Sequence, residues 1–270
     1  GIEAEVYNTL GWITFRSGDL PTARRLLEHA ASLVEDSEHY KVLSSILNRL
    51  GAVYHSQGDW DMAMAVVQRA LEIRERSGDL IGTARSLNNL GILKRDNGDW
   101  SGALQAFQRC LSSMEIIGDA EGIAIAHTNL ANVHIDLGNW EQAETHLRRS
   151  YEIAQQIGNL YEQAQASMNL GHLFLRKGDW DEAERYLNAA LALYSQLNIS
   201  ANPNVVDAHW LRSVLFLEVG CFDEAIQWGA RVKALLQEMT GSDAGSSPEW
   251  GRYYQLMGRL ALTQDQIAKS

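Results

Sequence analysis

The chain has 270 residues and a formal net charge of −11, with 46% hydrophobic and 21% charged residues. This is the composition of an ordinary globular protein with enough apolar residues for a large core. The acidic balance excludes nucleic-acid binding as the main function, because binding along a phosphate backbone requires clustered Lys and Arg.

A Gly-Asp or Gly-Asn pair divides most of the chain into segments of 20 residues. The pairs stand at 18–19, 58–59, 78–79, 98–99, 118–119, 138–139, 158–159 and 178–179. Between them the apolar spacing is helical, as in the series Leu47, Leu50, Gly51 and Tyr54. Glycine takes the left-handed backbone that ends one helix, and the Asp or Asn caps the next. Each unit of 40 residues is therefore predicted to be two antiparallel helices.

Several columns of one residue type keep the 40-residue step through five units. In the first helix of each unit the columns are Leu10, Leu50, Leu90, Leu130 and Leu170, followed by Gly11, Gly51, Gly91, Ala131 and Gly171. In the second helix they are Leu20, Trp60, Trp100, Trp140 and Trp180, and then Ala23, Ala63, Ala103, Ala143 and Ala183. A repeat that keeps its register through five units is a specific signal of a helical repeat protein.

This pattern resembles the tetratricopeptide repeat (TPR) family, whose usual period is about 34 residues. With its period of 40 residues, the chain resembles a subgroup of the family with longer repeats. That subgroup includes Pins-type scaffold proteins and the sensor arrays of bacterial signal-transduction ATPases and LuxR- or MalT-type regulators. The resemblance implies an all-α fold, a right-handed superhelical solenoid of antiparallel helix pairs. It covers residues 1–197 as five repeats.

The register slips after residue 197, where "LNISANPNV" replaces the expected glycine turn. Residues 198–239 are predicted to form a sixth, divergent repeat, with Gly220 and Phe222 where Gly and Trp would stand. Residues 240–270 are predicted to be a polar loop followed by a partial seventh repeat. Neither end shows a polar capping helix, so we expect a longer array or ends that pack on something else, self-association included.

The resemblance places the first helix of each pair on the concave wall of the superhelix, and asparagine is frequent on that wall. The unit positions expected to face the groove are 5, 8, 9, 12, 15 and 16. Position 8 holds Asn8, Asn48 and Asn88, position 9 holds Asn89, Asn129 and Asn169, and position 12 holds Trp12, Asn132 and His172. A side-chain amide offers both a donor and an acceptor, so a ladder of amides is suited to the backbone of an extended peptide. The alternative is that these amides bond to neighbouring helices and only join the repeats.

Arginines on the same wall form a basic spot in an acidic chain. Arg49, Arg85 and Arg95 are predicted to lie beside the asparagines of the second and third units. Guanidinium groups favour an acidic peptide, a carboxylate or a phosphate group as ligand. The alternative is that these arginines pair with Asp96 and Asp136 and never meet a ligand.

The tryptophan column has two interpretations as well. At the first position of the second helix, each ring can fold over the turn and pack on the adjacent unit, burying roughly 150–250 Å². The alternative is contact with a partner, for which Trp12, at a groove position, is the better candidate.

Motifs for chemistry are missing from the sequence. There is no phosphate-cradling glycine loop, GxSxG elbow, HExxH or CxxC. Cys110 and Cys221 are the only cysteines. Two distant thiols form neither a disulfide framework nor a zinc site, so we expect the protein to work in the reducing cytoplasm. The sequence contains no run of about 18 apolar residues, which is the length that a membrane-spanning helix needs. We expect no catalytic residue, no metal site, no cofactor and no membrane or nucleic-acid partner.

The sequence therefore predicts a non-enzymatic module whose concave groove binds an extended peptide or partner segment. The resemblance implies the sensor or scaffold part of a larger bacterial signalling protein. Two alternatives remain open, a small-molecule effector-sensing domain of a transcription regulator and a structural array that associates with itself.

Overall fold

The computed structural model describes residues 1–35, 39–200, 202–240 and 248–268. These residues form 13 α-helices and no strand, which confirms the all-α prediction. The predicted loop after residue 240 lies mostly outside the described residues. No helix in the described part of the chain is both long and apolar enough to cross a bilayer.

The helices follow the predicted pairs. Those before the break are α1 (Ile2–Arg16), α2 (Leu20–Ser32), α3 (Tyr40–Ser56), α4 (Trp60–Ser77), α5 (Leu80–Asp96), α6 (Trp100–Ile117), α7 (Ala120–Asp136), α8 (Trp140–Gln156), α9 (Leu160–Lys177) and α10 (Trp180–Gln196). Those after it are α11 (Pro203–Val219), α12 (Phe222–Thr240) and α13 (Pro248–Ala268).

The turns between helices use glycine and Asp as the sequence predicts. Gly78 ends α4 with a φ of 69°, in the left-handed region that favours glycine. Asp79 then accepts a hydrogen bond from the backbone N–H of Gly82, at 3.0 Å, which caps α5. Asn139 departs from this pattern, because its side chain makes no cap bond at the start of α8.

Within each pair, the glycine column allows the two helices to approach closely. A Cβ atom at Gly11 would lie 2.7 Å from Cγ of Leu27, and one at Gly171 would lie 2.7 Å from Cγ of Leu187. Both distances are shorter than a normal van der Waals contact, so a side chain would force the helices apart. The alanine column of the second helices is buried as well: Ala23, Ala63, Ala103, Ala143 and Ala183 are all 0% exposed.

The contacts divide the chain into two compact units, Gly1–Val133 and His134–Ser270. In unit 1, the first helices touch one another, since α3 contacts both α1 and α5. We call this row of α1, α3 and α5 the first-helix wall. In unit 2, α11 contacts α9 and α13 in the same way.

The register break forms a longer connection between α10 and α11. Asn198 takes the left-handed backbone that glycine takes in the other turns, with a φ of 54°. Asn202 caps α11 by accepting a hydrogen bond from the backbone N–H of Asn204, at 2.9 Å, and Pro203 occupies the first turn of the helix. The predicted glycine at the end of the sixth first helix is present, because Gly220 has a φ of 84°.

Candidate functional site

An open cavity of about 360 Å³ lies on the first-helix wall of unit 1. Five of the predicted groove residues line it, namely Trp12, Asn48, Arg49, Arg85 and Asn89. They come from α1, α3 and α5, which the helical repeat places side by side. His55 and Arg74 line the same space. Because three guanidinium groups meet here, we call it the arginine cavity.

Arg49 is held by the helix before it. Its Nη1 donates to the backbone carbonyl of Asn8 at 2.8 Å and to the side-chain oxygen of Asn8 at 3.0 Å. The guanidinium carbon lies 5.4 Å from the ring centroid of Trp12, within the range of a cation–π contact. Partial burial lowers the pKa of Arg49. An arginine side chain keeps its charge in proteins at neutral pH, so the group is a fixed cation.

Arg74 is the member of the cavity that the sequence pattern did not predict. It lies on α4, a second helix, and is only 7% exposed. Its Nε donates to Oγ of Ser44 at 3.0 Å, and its Nη1 donates to the carbonyl of Gly82 at 2.7 Å and to Oγ of Ser86 at 3.0 Å. Burial is the main cause of its lowered pKa. The nearby carboxylate of Asp79 opposes this shift, and the cation of Arg85 adds to it. Neutral oxygens satisfy this buried charge, and none of the three bonds comes from a carboxylate.

Arg85 completes the group from the exposed side of α5. In the described part of the chain, it has no ion pair or hydrogen bond, and neither Arg49 nor Arg74 forms an ion pair. Pairing with Asp96 or Asp136 therefore does not apply to Arg49 and Arg85 in the described part of the chain, whereas Arg95 and Asp136 are each engaged in an interaction. Oδ2 of Asp96 lies 3.1 Å from Nε2 of His55 instead.

The asparagines join neighbouring first helices. Nδ2 of Asn89 donates to Oδ1 of Asn48 at 3.3 Å, and Nδ2 of Asn129 donates to Oδ1 of Asn88 at 2.7 Å. Each bond connects position 9 of one unit to position 8 of the unit before it, as Arg49 does with Asn8. Inter-helix bonding, one of the two interpretations left open by the sequence, is therefore present in unit 1.

Position 8 is more buried than the sequence predicts. Asn8 and Asn48 are only 7% and 9% exposed, although both were expected on the exposed face. The reason is that adjacent first helices pack together along this line, so position 8 lies between two helices. Asn88, Asn89 and Asn129 are half-buried and keep part of their surface on the wall.

The other predicted site residues do not line the arginine cavity. Arg95 is half-buried near the end of α5, and Asn132 is half-buried on α7. Asn169 and His172 are half-buried on α9 and belong to unit 2. Asn88 lines a neighbouring cavity of about 370 Å³ in unit 1.

The tryptophans at the helix starts lie over their turns and stay partly exposed. The ring of Trp60 meets that of His55 edge-on, with centroids 4.8 Å apart. Trp180 lies against its own turn, because Cζ2 is 3.7 Å from the place of a Cβ atom at Gly178. Trp100 and Trp180 remain 42% and 37% exposed. The rings therefore cover the turns while leaving one surface to solvent.

Groups suited to covalent or metal chemistry are not gathered at the cavity. Burial raises the pKa of Cys110 to about 11, which keeps the thiol protonated. Within the described ranges of the chain, no three His, Cys, Asp or Glu side chains lie close enough to hold a metal ion. The arrangement of cations, amides and one indole ring is suited to binding an anion.

Comparisons with known proteins agree with this architecture. The model of the MalT-like TPR region matches residues 4–269. No curated protein matches the sequence.

Solved structures show the same fold at low sequence identity. BtubC (BKLC) from P. vanneervenii is 21% identical, with a TM-score of 0.64, over 91% of this chain and 94% of that one. A Rap protein complexed with competence and sporulation factor is 18% identical, with a TM-score of 0.70, over 99% of this chain and 76% of that one. The apo form of the quorum sensor NprR from B. thuringiensis is 13% identical, with a TM-score of 0.67, over 94% and 68%.

Proposed function

This chain belongs to the MalT-like TPR region family, and from that premise we propose that it is a non-enzymatic recognition module for a peptide or protein segment. The first-helix wall of unit 1 is the binding surface, and the arginine cavity receives an acidic group of the partner. The module acts in the cytoplasm as the sensor or scaffold part of a larger bacterial signalling protein.

The observation that carries the proposal is the set of unpaired cations in the arginine cavity. The chain has a net charge of −11, with 34 acidic residues against 23 Lys and Arg. Even so, within the described residues Arg49, Arg74 and Arg85 form no ion pair with a carboxylate. Arg74 lies close to the carboxylate of Asp79 as well as to the cation of Arg85. An anionic ligand supplies the counter-ion that Arg85 lacks in the described chain.

An extended peptide fits the polar surface beside the cavity. Asn8 and Asn48 are buried in the wall. Asn89 and Asn129 each donate one bond to a neighbouring asparagine but are only half-buried, so their amides are the ones that contact a peptide backbone. In unit 2, Asn169 and His172 stand at the corresponding positions of α9. In unit 1 we include Asn88, Arg95 and Asn132 as further peptide contacts, whereas Asn169 and His172 would contact a segment bound on unit 2.

Two of the similar structures give this proposal its signalling context. One is a Rap protein complexed with competence and sporulation factor, and the other is a quorum sensor. At 18% and 13% identity, their likeness shows the fold alone. It supports the proposal only by showing that the architecture serves as a regulatory binding module elsewhere.

A peptide selection with the whole chain tests the proposal. Random 12-residue peptides are displayed and selected on the immobilised protein, and the best binders are made synthetically. We expect the selected peptides to carry Asp or Glu, because the arginine cavity requires an anion. Fluorescence anisotropy then measures their affinity for the variant Arg85→Ala. This substitution removes an exposed cation that has no internal bond to lose, so affinity should fall by about tenfold with little change in Tm.

Arg109→Ala is the matched control. Arg109 lies on α6 and its Nη2 contacts Oε1 of Glu75 at 2.5 Å, so it is an exposed arginine of unit 1 outside the cavity. Its removal should leave peptide affinity within about twofold. Selected peptides without acidic residues, or equal affinities for Arg85→Ala and the unaltered chain, would refute the proposed site.

A further inference from the structure

A second cavity, of about 490 Å³, lies in unit 2 beside the break in the repeat. It is formed by the end of α10, the connection to α11, the start of α11 and one residue of α12. Its polar lining includes Tyr194, Ser195, His209 and Arg231. None of these residues takes part in the peptide site proposed above.

Arg231 lacks the carboxylate partner that two arginines of unit 1 have. In unit 1, Arg69 on α4 binds Glu35, and Arg109 on α6 binds Glu75 of the unit before it. Each ion pair joins two positions 34 residues apart. Arg69 and Arg109 are one repeat apart, and Arg231 stands at the equivalent position of the sixth repeat once its two-residue offset is included. The column that begins with Glu35 and Glu75 continues, at a step of 40 residues, with Glu115, Gln155 and then Ser195.

Within the described chain, Arg231 consequently has no ion pair or hydrogen bond. A serine hydroxyl at position 195 cannot neutralise a guanidinium group. The cavity therefore contains a cation at the place where the fold elsewhere positions a cation and a carboxylate together. An anion from solution can occupy the space of the absent carboxylate.

Two further polar groups of the cavity lining lack partners. The hydroxyl of Tyr194 forms no hydrogen bond, although the side chain is only 1% exposed. Nδ1 of His209 is also buried without a partner. Such groups each cost free energy in the folded protein unless a ligand or water satisfies them. Burial raises the pKa of Tyr194, so its hydroxyl stays protonated.

The remaining surface of the cavity is apolar. Leu191, Ile199 and Val205 line it beside the polar groups. A volume of about 490 Å³ falls within the range of pockets that hold small molecules. One cation, two unpartnered polar groups and an apolar surface together match a molecule with one anionic group and a short hydrocarbon portion.

We propose that this cavity binds a small organic anion. Its carboxylate or phosphate group takes the place of the glutamate that is missing at Ser195 and binds Arg231. The hydrocarbon portion lies against Leu191 and Val205. This site is independent of peptide binding in unit 1.

Hexanoate, hexyl phosphate and uncharged hexanol are suitable probes, titrated separately into the 270-residue chain. NMR signals of the histidine rings follow binding at His209, and the variant His209→Gln identifies its signal. We expect saturable shifts with hexanoate or hexyl phosphate, and the stronger of the two shows which anionic group the site prefers. Hexanol should bind at least about tenfold more weakly, because it offers no charge to Arg231.

The variant Ser195→Glu supplies a carboxylate at the position of Glu35 and Glu75. We expect it to pair with Arg231, to keep or raise Tm, and to weaken hexanoate binding at least about tenfold. Arg231→Ala should weaken binding to a similar extent, whereas Arg109→Ala should leave it within about twofold. The proposal is overturned if neither anion binds saturably, if hexanol binds as well as hexanoate, or if the well-folded Ser195→Glu variant binds as the unaltered chain does.

Discussion

Arg74 and Tyr194 occupy the same position in two different repeats, and each one makes the cavity of its unit polar. The column to which they belong is Val34, Arg74, Met114, Ala154 and Tyr194. Arg74 has three internal hydrogen bonds, whereas the hydroxyl of Tyr194 has none. A charged residue in an otherwise uncharged column of a second helix is the signal that would have revealed Arg74. The groove positions predicted from the sequence all lie on first helices, so they do not include Arg74, which lies on a second helix.

His209 is expected to make unit 2 sensitive to acid. Burial, together with the cations of Arg231 and Arg212, lowers the pKa of His209 from 6.5 to about 4. The unfolded chain therefore binds a proton more readily than the folded one between these values. The stabilising contribution of the neutral ring is fully present above about pH 6.5 and is lost as pH falls towards 4.

The variant His209→Leu tests this linkage, because Leu87 is the residue at the matching position of the third repeat. Between pH 7 and pH 5, the unaltered chain should lose about 1–2 kcal/mol more unfolding free energy than the variant, after allowance for partial solvent screening. Urea unfolding at the two pH values measures the difference. Parallel losses in both proteins would show that His209 is not buried in its neutral form.

At the scale of helices, the turns and the helix pairs could be predicted from the sequence. The packing of one pair against the next could not. A glycine and an Asp act locally, through φ and a cap bond, so their effect is readable from a few residues. The burial of Asn8 and Asn48 depends on how closely one first helix approaches the next. The helical period gives the face of a residue but not the distance to the neighbouring pair. For the same reason, the two cavities were not predicted as spaces.

The close approach inside a helix pair leads to a prediction about its glycines. Gly171→Ala places a methyl group 2.7 Å from Cγ of Leu187, so we expect a loss of about 1–3 kcal/mol from overpacking. Gly258 follows Met257 on α13, and an added Cβ atom there would have no atom within 4 Å. Gly258→Ala should instead stabilise its helix by about 0.5–1 kcal/mol. Thermal and urea unfolding of the two variants measure this contrast. Destabilisation by both, or by neither, would contradict the role of the glycine column as a packing contact.

At the scale of the whole molecule, the repeated residues build the fold and the exceptions supply the chemistry. Proteins only 13–21% identical share the architecture, because capping, glycine turns and small-residue packing tolerate many sequences. Both proposed sites lie where a column is interrupted. Arg74 stands in an uncharged column, and Ser195 stands in a column that holds Glu35 and Glu75.

The apolar face of α1 leads to a prediction about the state of the molecule in solution. Ile2, Val6, Leu10 and Ile13 are 82%, 51%, 45% and 59% exposed, and their spacing places them along one side of the helix. In the next two repeats, the equivalents of Leu10 are 3% and 6% exposed, because the helix pair before them covers that side. For the 270-residue chain taken by itself, we expect two copies to cover this face mutually, so that the mass measured by light scattering rises with concentration.

The double variant Leu10→Lys and Ile13→Lys should weaken this association at least about tenfold, since it places two cations on the surface that would otherwise be buried. Ile116→Lys is the matched control. Ile116 is 76% exposed on α6, and a lysine there adds charge without altering α1. If the unaltered chain stays monomeric up to high concentration, or if all three proteins associate equally, the face of α1 does not drive association between copies.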